Sequence, residues 1–395
     1  MEITYPPSGW LKKSEEPLNF YKSLLALYPD DKKELAIVIK KDQTKVVITK
    51  EKAQNKSIIL AKEIKNLSQL EGDEQLRIFT VINASEASFY LMLASSFLGA
   101  NHCICFEDLS EHAISSRIDI FQPHIILGKS EIVEKLVEAK KKSDIKEIPV
   151  CNIDEILRTD GFRHSQIMDY DFSSAEYTSE DILFTLFTSG STGLPKAIRH
   201  TSSRFSRYAI ATCKHFFKLD NKSTIFTATD AGWINGHTYA FYGPLLCGST
   251  TVISEDLSKT AKPEYLDFIL INCRVTCFYA SVTLIRAIRQ NAILNTNVSR
   301  ENKSLILERV GSCGEPLAND VGKWVVQYFK PKRKSIVNTY FQTETGGILT
   351  APRDEDGFNS DYSNVGKPSN FVDIRTAKDL LSVQELEDEE IEPNE

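Results

Sequence analysis

Several common sequence features are missing from this chain of 395 residues, and each absence argues against a class of protein. No apolar stretch reaches the roughly 18 residues that a membrane-spanning helix needs. The first residues show no basic segment followed by an apolar one, so no secretory signal is expected. Basic residues do not dominate either, because the formal net charge is −7, which argues against nucleic acid as the main partner. No internal repeat recurs at a fixed period.

Cysteine spacing gives no clear metal site. Cys103 with Cys105 and Cys273 with Cys277 resemble metal half-sites, but no matching His or Cys pair lies nearby at zinc spacing. The alternative is that the eight cysteines are reduced thiols, since most of them lie in apolar runs and free cysteine is commonly buried. A chain that is 42% hydrophobic can also bury a large core. These features predict a soluble, cytoplasmic protein.

Patterning predicts an irregular arm followed by an α/β domain. Four prolines fall within the first thirty residues, and residues 1–34 are therefore expected to be irregular. Beyond them, strands predicted from short apolar runs alternate with helices, which is typical of β-α-β units and a parallel sheet. The predicted strands are 77–82, 102–106, 124–127, 182–187, 223–227, 250–254 and 276–279. The predicted helices are 86–98, 110–121 and 129–142, with Gly99 and Pro123 as terminators and Ser110 as an N-cap.

Residues 188–196 are the most informative segment. They read Thr-Ser-Gly-Ser-Thr-Gly-Leu-Pro-Lys and follow a predicted strand. Glycines allow positive φ and close backbone approach, exposed N–H groups and hydroxyls bind anions, and Lys196 adds a positive charge. The spacing differs from that of P-loop NTPases. We interpret the segment as a polyphosphate-binding loop, with a plain Gly/Ser turn as the alternative.

Three further blocks follow in order: Ala231-Gly232-Trp233-Ile234-Asn235-Gly236-His237 with Tyr242-Gly243-Pro244-Leu245, then Gly311-Ser312-Cys313-Gly314-Glu315-Pro316, then Tyr340-Phe341-Gln342-Thr343-Glu344-Thr345-Gly346-Gly347. Together the four blocks resemble the adenylate-forming (AMP-binding) family of acyl-CoA synthetases, in its acetyl-CoA and propionyl-CoA synthetase branch, over about residues 35–370. The resemblance implies the large N-terminal domain of that fold, with parallel sheets flanked by helices. It places this domain at residues 35–378, without the small C-terminal lid domain, and an acidic disordered tail at 379–395.

The resemblance also implies roles for individual residues. ATP, Mg²⁺, CoA and a short carboxylic acid are the expected small-molecule partners. Lys196, Thr343 and Glu344 are the expected catalytic residues, and Glu344 is the expected Mg²⁺ ligand, because a cation that bridges phosphates prefers carboxylate oxygen. A solvated loop carboxylate is the alternative for Glu344. The residues expected to bind the nucleotide are Thr188, Ser189, Gly190, Ser191, Thr192, Gly193, Gly314, Glu315, Pro316, Gln342 and Thr343.

By position in the motifs, Trp233, Ile234, Asn235, Cys313 and Phe341 match residues that line the acid pocket in acetyl-CoA synthetases. The position of Phe341 is usually tryptophan in that branch, so the smaller ring predicts tolerance for propionate. For Trp233 and for His237, a buried aromatic and a core histidine are equally good interpretations. Arg117 and Lys129 lie in a region that the family partly uses for CoA, and a solvated helix face explains them as well.

The end of the chain departs from the family. No Tyr-x-Thr-Gly-Asp block, no following arginine and no lid lysine appears, and residues 385–392 are strongly acidic. The sequence therefore predicts ATP-dependent activation of acetate or propionate through an acyl-adenylate to acyl-CoA, impaired in this form. The alternative is a catalytically dead pseudoenzyme that binds nucleotide or regulates a relative. The sequence leaves the particular acid and the oligomeric state open.

Overall fold

The structure is a computed structural model that describes residues 3–4, 18–68, 70, 72, 74–145, 147–158, 175–176, 178, 180–189, 194–294, 305–357, 359–369 and 372–374. The strands are β1 Ile3–Thr4, β2 Glu34–Ile39, β3 Lys45–Thr49, β4 Arg77–Val81, β5 Asn101–Cys105, β6 Ile125–Gly128, β7 Val150–Asn152, β8 Ile182–Thr188, β9 Lys196–Thr201, β10 Thr224–Ala228, β11 Thr250–Ser254, β12 Cys277–Ser281, β13 Arg309–Cys313, β14 Ile336–Asn338, β15 Thr350–Ala351, β16 Lys367–Pro368 and β17 Asp373–Ile374.

The α-helices are α1 Phe20–Leu27, α2 Lys50–Ser68, α3 Glu86–Leu98, α4 Glu111–Phe121, α5 Val133–Lys142, α6 Ile153–Arg158, α7 Ser202–Thr212, α8 Ile234–His237, α9 Gly243–Leu246, α10 Pro263–Asn272, α11 Val282–Leu294 and α12 Asn319–Phe329. Short 3₁₀ turns cover Ser130–Ile132, Leu257–Ala261, Thr343–Thr345 and Asp354–Asp356, and π-helical turns cover Cys213–Phe217 and Thr238–Tyr242. No helix in the described residues is both long enough and apolar enough to cross a membrane.

Two large sheets organise the molecule. The seven-stranded sheet has the order β14-β13-β12-β10-β11-β2-β3, and all its neighbours are parallel except β2 and β3. The six-stranded sheet has the order β7-β6-β4-β5-β8-β9, and it is parallel except for the β8–β9 hairpin. The predicted α/β class with parallel sheets is confirmed. The antiparallel edges come from local hairpins, which need no crossover helix.

A helical layer lies between the two sheets. One continuous apolar cluster includes residues of β2, β4 and β8 together with α2 and α3, so both sheets pack on these helices. Nearly every side chain of α3 is buried, as expected of a helix enclosed on several sides. Separate clusters cover the outer faces, where α10, α11 and α12 pack on the seven-stranded sheet and α4 and α5 pack on the six-stranded sheet.

Local sequence signals set several element ends as predicted. Ser85 accepts a hydrogen bond from Ser88 N at the start of α3, and Gly99 ends that helix with φ of 66°. Ser110 caps α4 by accepting from Ala113 N. The predicted helix 129–142 is wrong at its start, since a 3₁₀ turn precedes α5. Ile132 is buried in that turn, and packing sets its geometry.

The irregular arm predicted over residues 1–34 is wrong where α1 forms. Asn19 accepts from Lys22 N and caps the helix, and Phe20 and Leu24 are buried. The Phe20 ring packs on Phe241 and Tyr242 at centroid distances of 5.7 and 4.7 Å. Tertiary burial therefore outweighs the proline-rich context, which had suggested no packing partner. The acidic tail predicted at 379–395 lies outside the described residues.

The strand order of the seven-stranded sheet places a crevice at its carboxyl edge. The chain runs from β10 to its neighbour β11 on one side and then crosses back to β12 on the other side. This reversal is a topological switch point, and helices leave the sheet in opposite directions there. In open α/β sheets, ligands bind outside the carboxyl ends of the strands at such a point.

Candidate functional site

A cavity of ≈ 580 Å³ lies at this switch point. Its wall includes the ends of three parallel strands, with Ala228 from β10, Ser281 from β12 and Cys313 from β13. The whole wall consists of Ala228, Thr229, Asp230, Trp233, Ile234, Asn235, Leu257, Ser281, Cys313, Gly314, Glu315, Phe341, Gln342 and Thr343. We call it the switch-point cavity. It brings together all five residues predicted for the acid pocket and four of those predicted for nucleotide.

The acid-pocket residues differ in exposure. Ile234, Asn235 and Cys313 are each 7% exposed, whereas Trp233 is 58% exposed and packs its ring on Phe106 at 5.1 Å. Trp233 is thus a surface aromatic at the rim, and the interpretation as a buried core aromatic is wrong. Gly232 permits this arrangement, because a Cβ there would lie 2.6 Å from the Phe106 ring.

Residues of the π-helical turn Thr238–Tyr242 contact Phe341 and the turn that follows it. The Phe341 ring meets the buried Tyr239 edge-on at 5.8 Å. Thr238 Oγ1 donates to Gly346 O at 2.6 Å, and Ile348 N donates to Tyr239 Oη at 2.7 Å. The segments 231–245 and 340–348 are therefore hydrogen-bonded to each other, which fixes the segment 340–348 against the cavity.

His200 is a positioning residue that sequence reasoning missed. It lies on β9, and its Nε2 is 2.9 Å from Thr343 O, so it connects the β8–β9 hairpin to the third block. Burial lowers the pKa of His200 to about 4, and the ring is therefore neutral near pH 7. The only hint of His200 in the sequence was its position four residues after Lys196. His237 is fully buried as a core histidine, since its Nδ1 contacts Trp233 O at 3.1 Å.

The polyphosphate-binding loop is the connection of the β8–β9 hairpin. Thr188 pairs with Lys196 at its base, and Lys196 and Ser189 are exposed while Thr188 is half-buried. Gly190, Ser191, Thr192 and Gly193 lie outside the described residues. Thr188, Ser189 and Lys196 do not line the switch-point cavity, and His200 connects their hairpin to Thr343 in the cavity wall.

The Gly314-Glu315-Pro316 turn fits a flat ligand. Gly314 has φ of +86°, and a Cβ built on it would meet no atom within 4 Å. The backbone therefore faces open space, which is what an adenine ring stacked on it requires. Glu315 is less available, because its carboxylate accepts from Thr283 Oγ1 and pairs with Arg286 at 2.9 Å. Pro316 is exposed and does not line the cavity.

Glu344 is an exposed carboxylate in the 3₁₀ turn Thr343–Thr345. Within the described residues, no group of three or more His, Cys, Asp or Glu could hold a metal ion. A single carboxylate fits a cation whose other ligands are phosphate oxygens and water, and this is the usual manner of Mg²⁺ binding with a nucleotide. The role of Glu344 as a Mg²⁺ ligand therefore stays a prediction, in which the cation would arrive with ATP.

Asp230 is a second residue that the sequence analysis missed. It follows β10 at the cavity wall, and burial raises its pKa to about 6 even though backbone N–H groups of Gly232, Ala84 and Ala231 oppose the rise. Ala84 follows the six-stranded sheet, so Asp230 links the carboxyl edges of both sheets. The available signal in the sequence was a carboxylate shortly after the predicted strand 223–227 and directly before the segment 231–237.

Comparison with known proteins shows the family of this chain. The sequence profile of the family described as AMP-binding enzyme matches residues 67–385. Acetyl-coenzyme A synthetase 1 of Debaryomyces hansenii is 35% identical over 281 residues, which cover 66% of this chain and 41% of the relative. Acetyl-coenzyme A synthetase of Helicobacter acinonychis is 31% identical over 310 residues, which cover 73% of this chain and 46% of the relative. The matched region thus spans less than half the length of these relatives.

Solved structures share the fold. The anthranilate CoA ligase AuaEII in complex with anthranoyl-AMP superposes with a TM-score of 0.73 at 17% identity, over 89% of this chain and 64% of that chain. A benzoate CoA ligase from Burkholderia xenovorans LB400 gives a TM-score of 0.72 at 17% identity, over 89% of this chain and 66% of that chain. At this identity the likeness establishes the architecture, which is that of adenylate-forming ligases.

Proposed function

The chain belongs to the AMP-binding enzyme family, and we propose that it activates a short carboxylic acid, acetate or propionate, with ATP through an acyl-adenylate to an acyl-CoA. One observation supports the proposal: the apolar side chains of Ile234 and Phe341 share one cavity wall with the open Gly314 turn and Thr343. The CoA step rests on the printed names of the acetyl-coenzyme A synthetase relatives.

Each part of the site supplies one requirement of adenylation. The acid must be held in line with the α-phosphate of ATP, and negative charge on the leaving pyrophosphate must be neutralised. Ile234 and Phe341 offer apolar contact for the carbon chain, and Thr343 offers a donor between the acid and the phosphates. Lys196 and the hydroxyls of the hairpin provide positive charge and hydrogen bonds for the pyrophosphate. Glu344 would hold Mg²⁺, which would offset the negative charge of the phosphates.

We expect Lys196→Ala combined with Glu344→Gln to weaken MgATP binding by roughly tenfold or more, because two charge-based contacts with the phosphates are lost. Isothermal titration calorimetry on the 395-residue chain measures the effect. The control is Lys141→Ala with Glu138→Gln, which makes the same charge changes in an exposed pair on α5. Equal MgATP affinity in both double variants would remove the phosphate-site assignment. A second assay, acetate-dependent ATP–pyrophosphate exchange, distinguishes an enzyme that forms an acyl-adenylate from a protein that only binds the nucleotide.

The size of the acid is expected to depend on Phe341. Phe341→Trp should fill part of the cavity and weaken binding of a propionyl chain relative to an acetyl chain by about tenfold, since one methylene in an apolar pocket is worth about 1–3 kcal/mol. The probes are the non-hydrolysable 5′-O-(N-acylsulfamoyl)adenosines of the two acids. Tyr340→Trp serves as control, because Tyr340 is 40% exposed and outside the cavity wall. An unchanged acetyl-to-propionyl ratio in Phe341→Trp would show that this residue does not set chain length.

A further inference from the structure

The amide of Asn235 has one buried atom that no described residue satisfies. Asn235 lies in α8, lines the switch-point cavity and is 7% exposed. Its Nδ2 donates to Cys313 Sγ at 3.5 Å. Its Oδ1 is buried and receives no hydrogen bond from any part of the chain that the structure describes. The amide is therefore satisfied on its nitrogen side and unsatisfied on its oxygen side.

The orientation of this amide follows from the cysteine that it contacts. The Cys313 thiol directs its hydrogen to Ala280 O at 3.7 Å, so the sulfur is left as an acceptor toward Asn235. Burial raises the pKa of Cys313 to about 12, which keeps the thiol protonated near neutral pH. An acceptor sulfur requires the amide nitrogen opposite it, and the reversed amide would place two acceptors together. Oδ1 is consequently the atom left without a partner.

An unpaired acceptor in a buried site is costly, and no described side chain of the cavity wall donates a hydrogen bond to Asn235 Oδ1. Ile234 and Phe341, in the same wall, are apolar. An acetyl or propionyl chain has no donor either. Such a chain would displace solvent from the cavity without replacing the hydrogen bonds that solvent makes there, whereas a hydroxyl on the chain can replace them.

We propose that the acid taken by this site carries a hydrogen-bond donor on its carbon chain, and that Asn235 Oδ1 receives it. The substrate class is a small hydroxy acid of about three carbons. This inference rests on the proposed function in one respect, because it assigns the same cavity to the acyl group of a short carboxylic acid, but it replaces acetate or propionate by a hydroxy acid. Asn235 is then the residue that sets specificity by polarity, as Phe341 sets it by size.

The test compares three non-hydrolysable adenosine acylsulfamates, with propionyl, 2-hydroxypropionyl and 3-hydroxypropionyl groups, by calorimetry on the 395-residue chain. We expect at least one hydroxyacyl probe to bind about tenfold or more tightly than the propionyl probe, because a site with a paired polar group discriminates strongly against an analogue that lacks the donor. Asn235→Leu has similar volume and no polar atoms. It should bind the propionyl probe at least as tightly as the wild type and lose the preference for the hydroxyl.

Two further variants keep the result interpretable. Cys313→Ala removes the partner of Asn235 Nδ2 and leaves Oδ1 in place, so this variant should retain the preference for the hydroxyl. Asn235→Ala replaces Asn235→Leu if the leucine side chain prevents folding. Propionyl binding equal to or tighter than both hydroxyacyl probes overturns the inference and leaves the proposed function standing. A hydroxyl preference that survives loss of the Asn235 amide also overturns it. Failure of every probe to bind overturns the proposed function itself.

Discussion

Gly236→Ala is expected to destabilise the chain by about 3 kcal/mol or more and to remove binding of every acyl-adenylate analogue. A Cβ on Gly236 would lie well inside contact distance of the Asp230 carbonyl oxygen and 3.1 Å from Ala231 Cα. These are backbone atoms, which cannot rotate away as a side chain can. The helix α8 must therefore shift, and it carries Ile234 and Asn235 in the cavity wall. Urea unfolding measures the stability, and calorimetry measures binding.

Gly314→Ala is the matched control for this prediction. Gly314 lies in the same cavity wall, but an added Cβ there meets no atom within 4 Å. Its cost comes only from the φ of +86°, which is about 1–2 kcal/mol for a residue with a Cβ. A smaller loss of stability in Gly236→Ala than in Gly314→Ala would contradict the packing of α8 against Asp230.

The fold was predictable from local patterns wherever one element buries one continuous surface. The strand of residues 77–82 and the helix of residues 86–98 have apolar runs and clear end signals, and both form as predicted. The helix α1 was not predictable in this way. The flanking prolines predicted an irregular arm, whereas burial of Phe20 and Leu24 stabilises the helix, and the Phe20 ring contacts Phe241 and Tyr242, some 220 positions away. Sequence-distant burial is invisible to local patterning.

The candidate site also combines features that were predictable from local sequence with features that were not. Motif resemblance identified Ile234, Asn235, Cys313 and Phe341, and these residues do share one cavity. The motif could not reveal which polar atoms remain unpaired, because the Asn235 hydrogen bond depends on a strand 78 positions away. Neither could it reveal that the Glu315 carboxylate is already paired with Arg286, which lies on α11. Roles carried by hydrogen-bond partners therefore require coordinates.

The carboxyl edges of the two sheets are joined by an ion network, and its central member is Glu86. Lys40, after β2, and Lys52, on α2, each approach the Glu86 carboxylate at 2.8 Å, and Tyr90 Oη donates to it at 2.9 Å. Glu255, after β11, accepts from Lys40 at 2.9 Å. Burial opposes the charged form of Glu86, but the hydrogen bonds from Lys40, Lys52 and Tyr90 outweigh it and lower its pKa from 4.5 to about 2.

Glu86→Gln is therefore expected to lower the free energy of unfolding by about 2–3 kcal/mol at pH 7, because a folded-state pKa below the unfolded value favours the folded state when the group is ionised. This contribution is complete above the unfolded pKa of 4.5 and is lost as pH falls through about 2. The difference in unfolding free energy between the wild type and Glu86→Gln should accordingly narrow from pH 6 toward pH 3. Urea unfolding at a series of pH values measures it.

The control for this pH dependence is Glu138→Gln on α5. The Glu138 carboxylate is also paired with a lysine, Lys141 at 2.6 Å, but both side chains are largely exposed and screened by water. The Glu138→Gln substitution should therefore change the free energy of unfolding little at any pH. A gap between wild type and Glu86→Gln that stays constant from pH 6 to pH 3 would show that the loss in the variant comes from packing and not from charge. The network would then be a contact between the sheets without an electrostatic role.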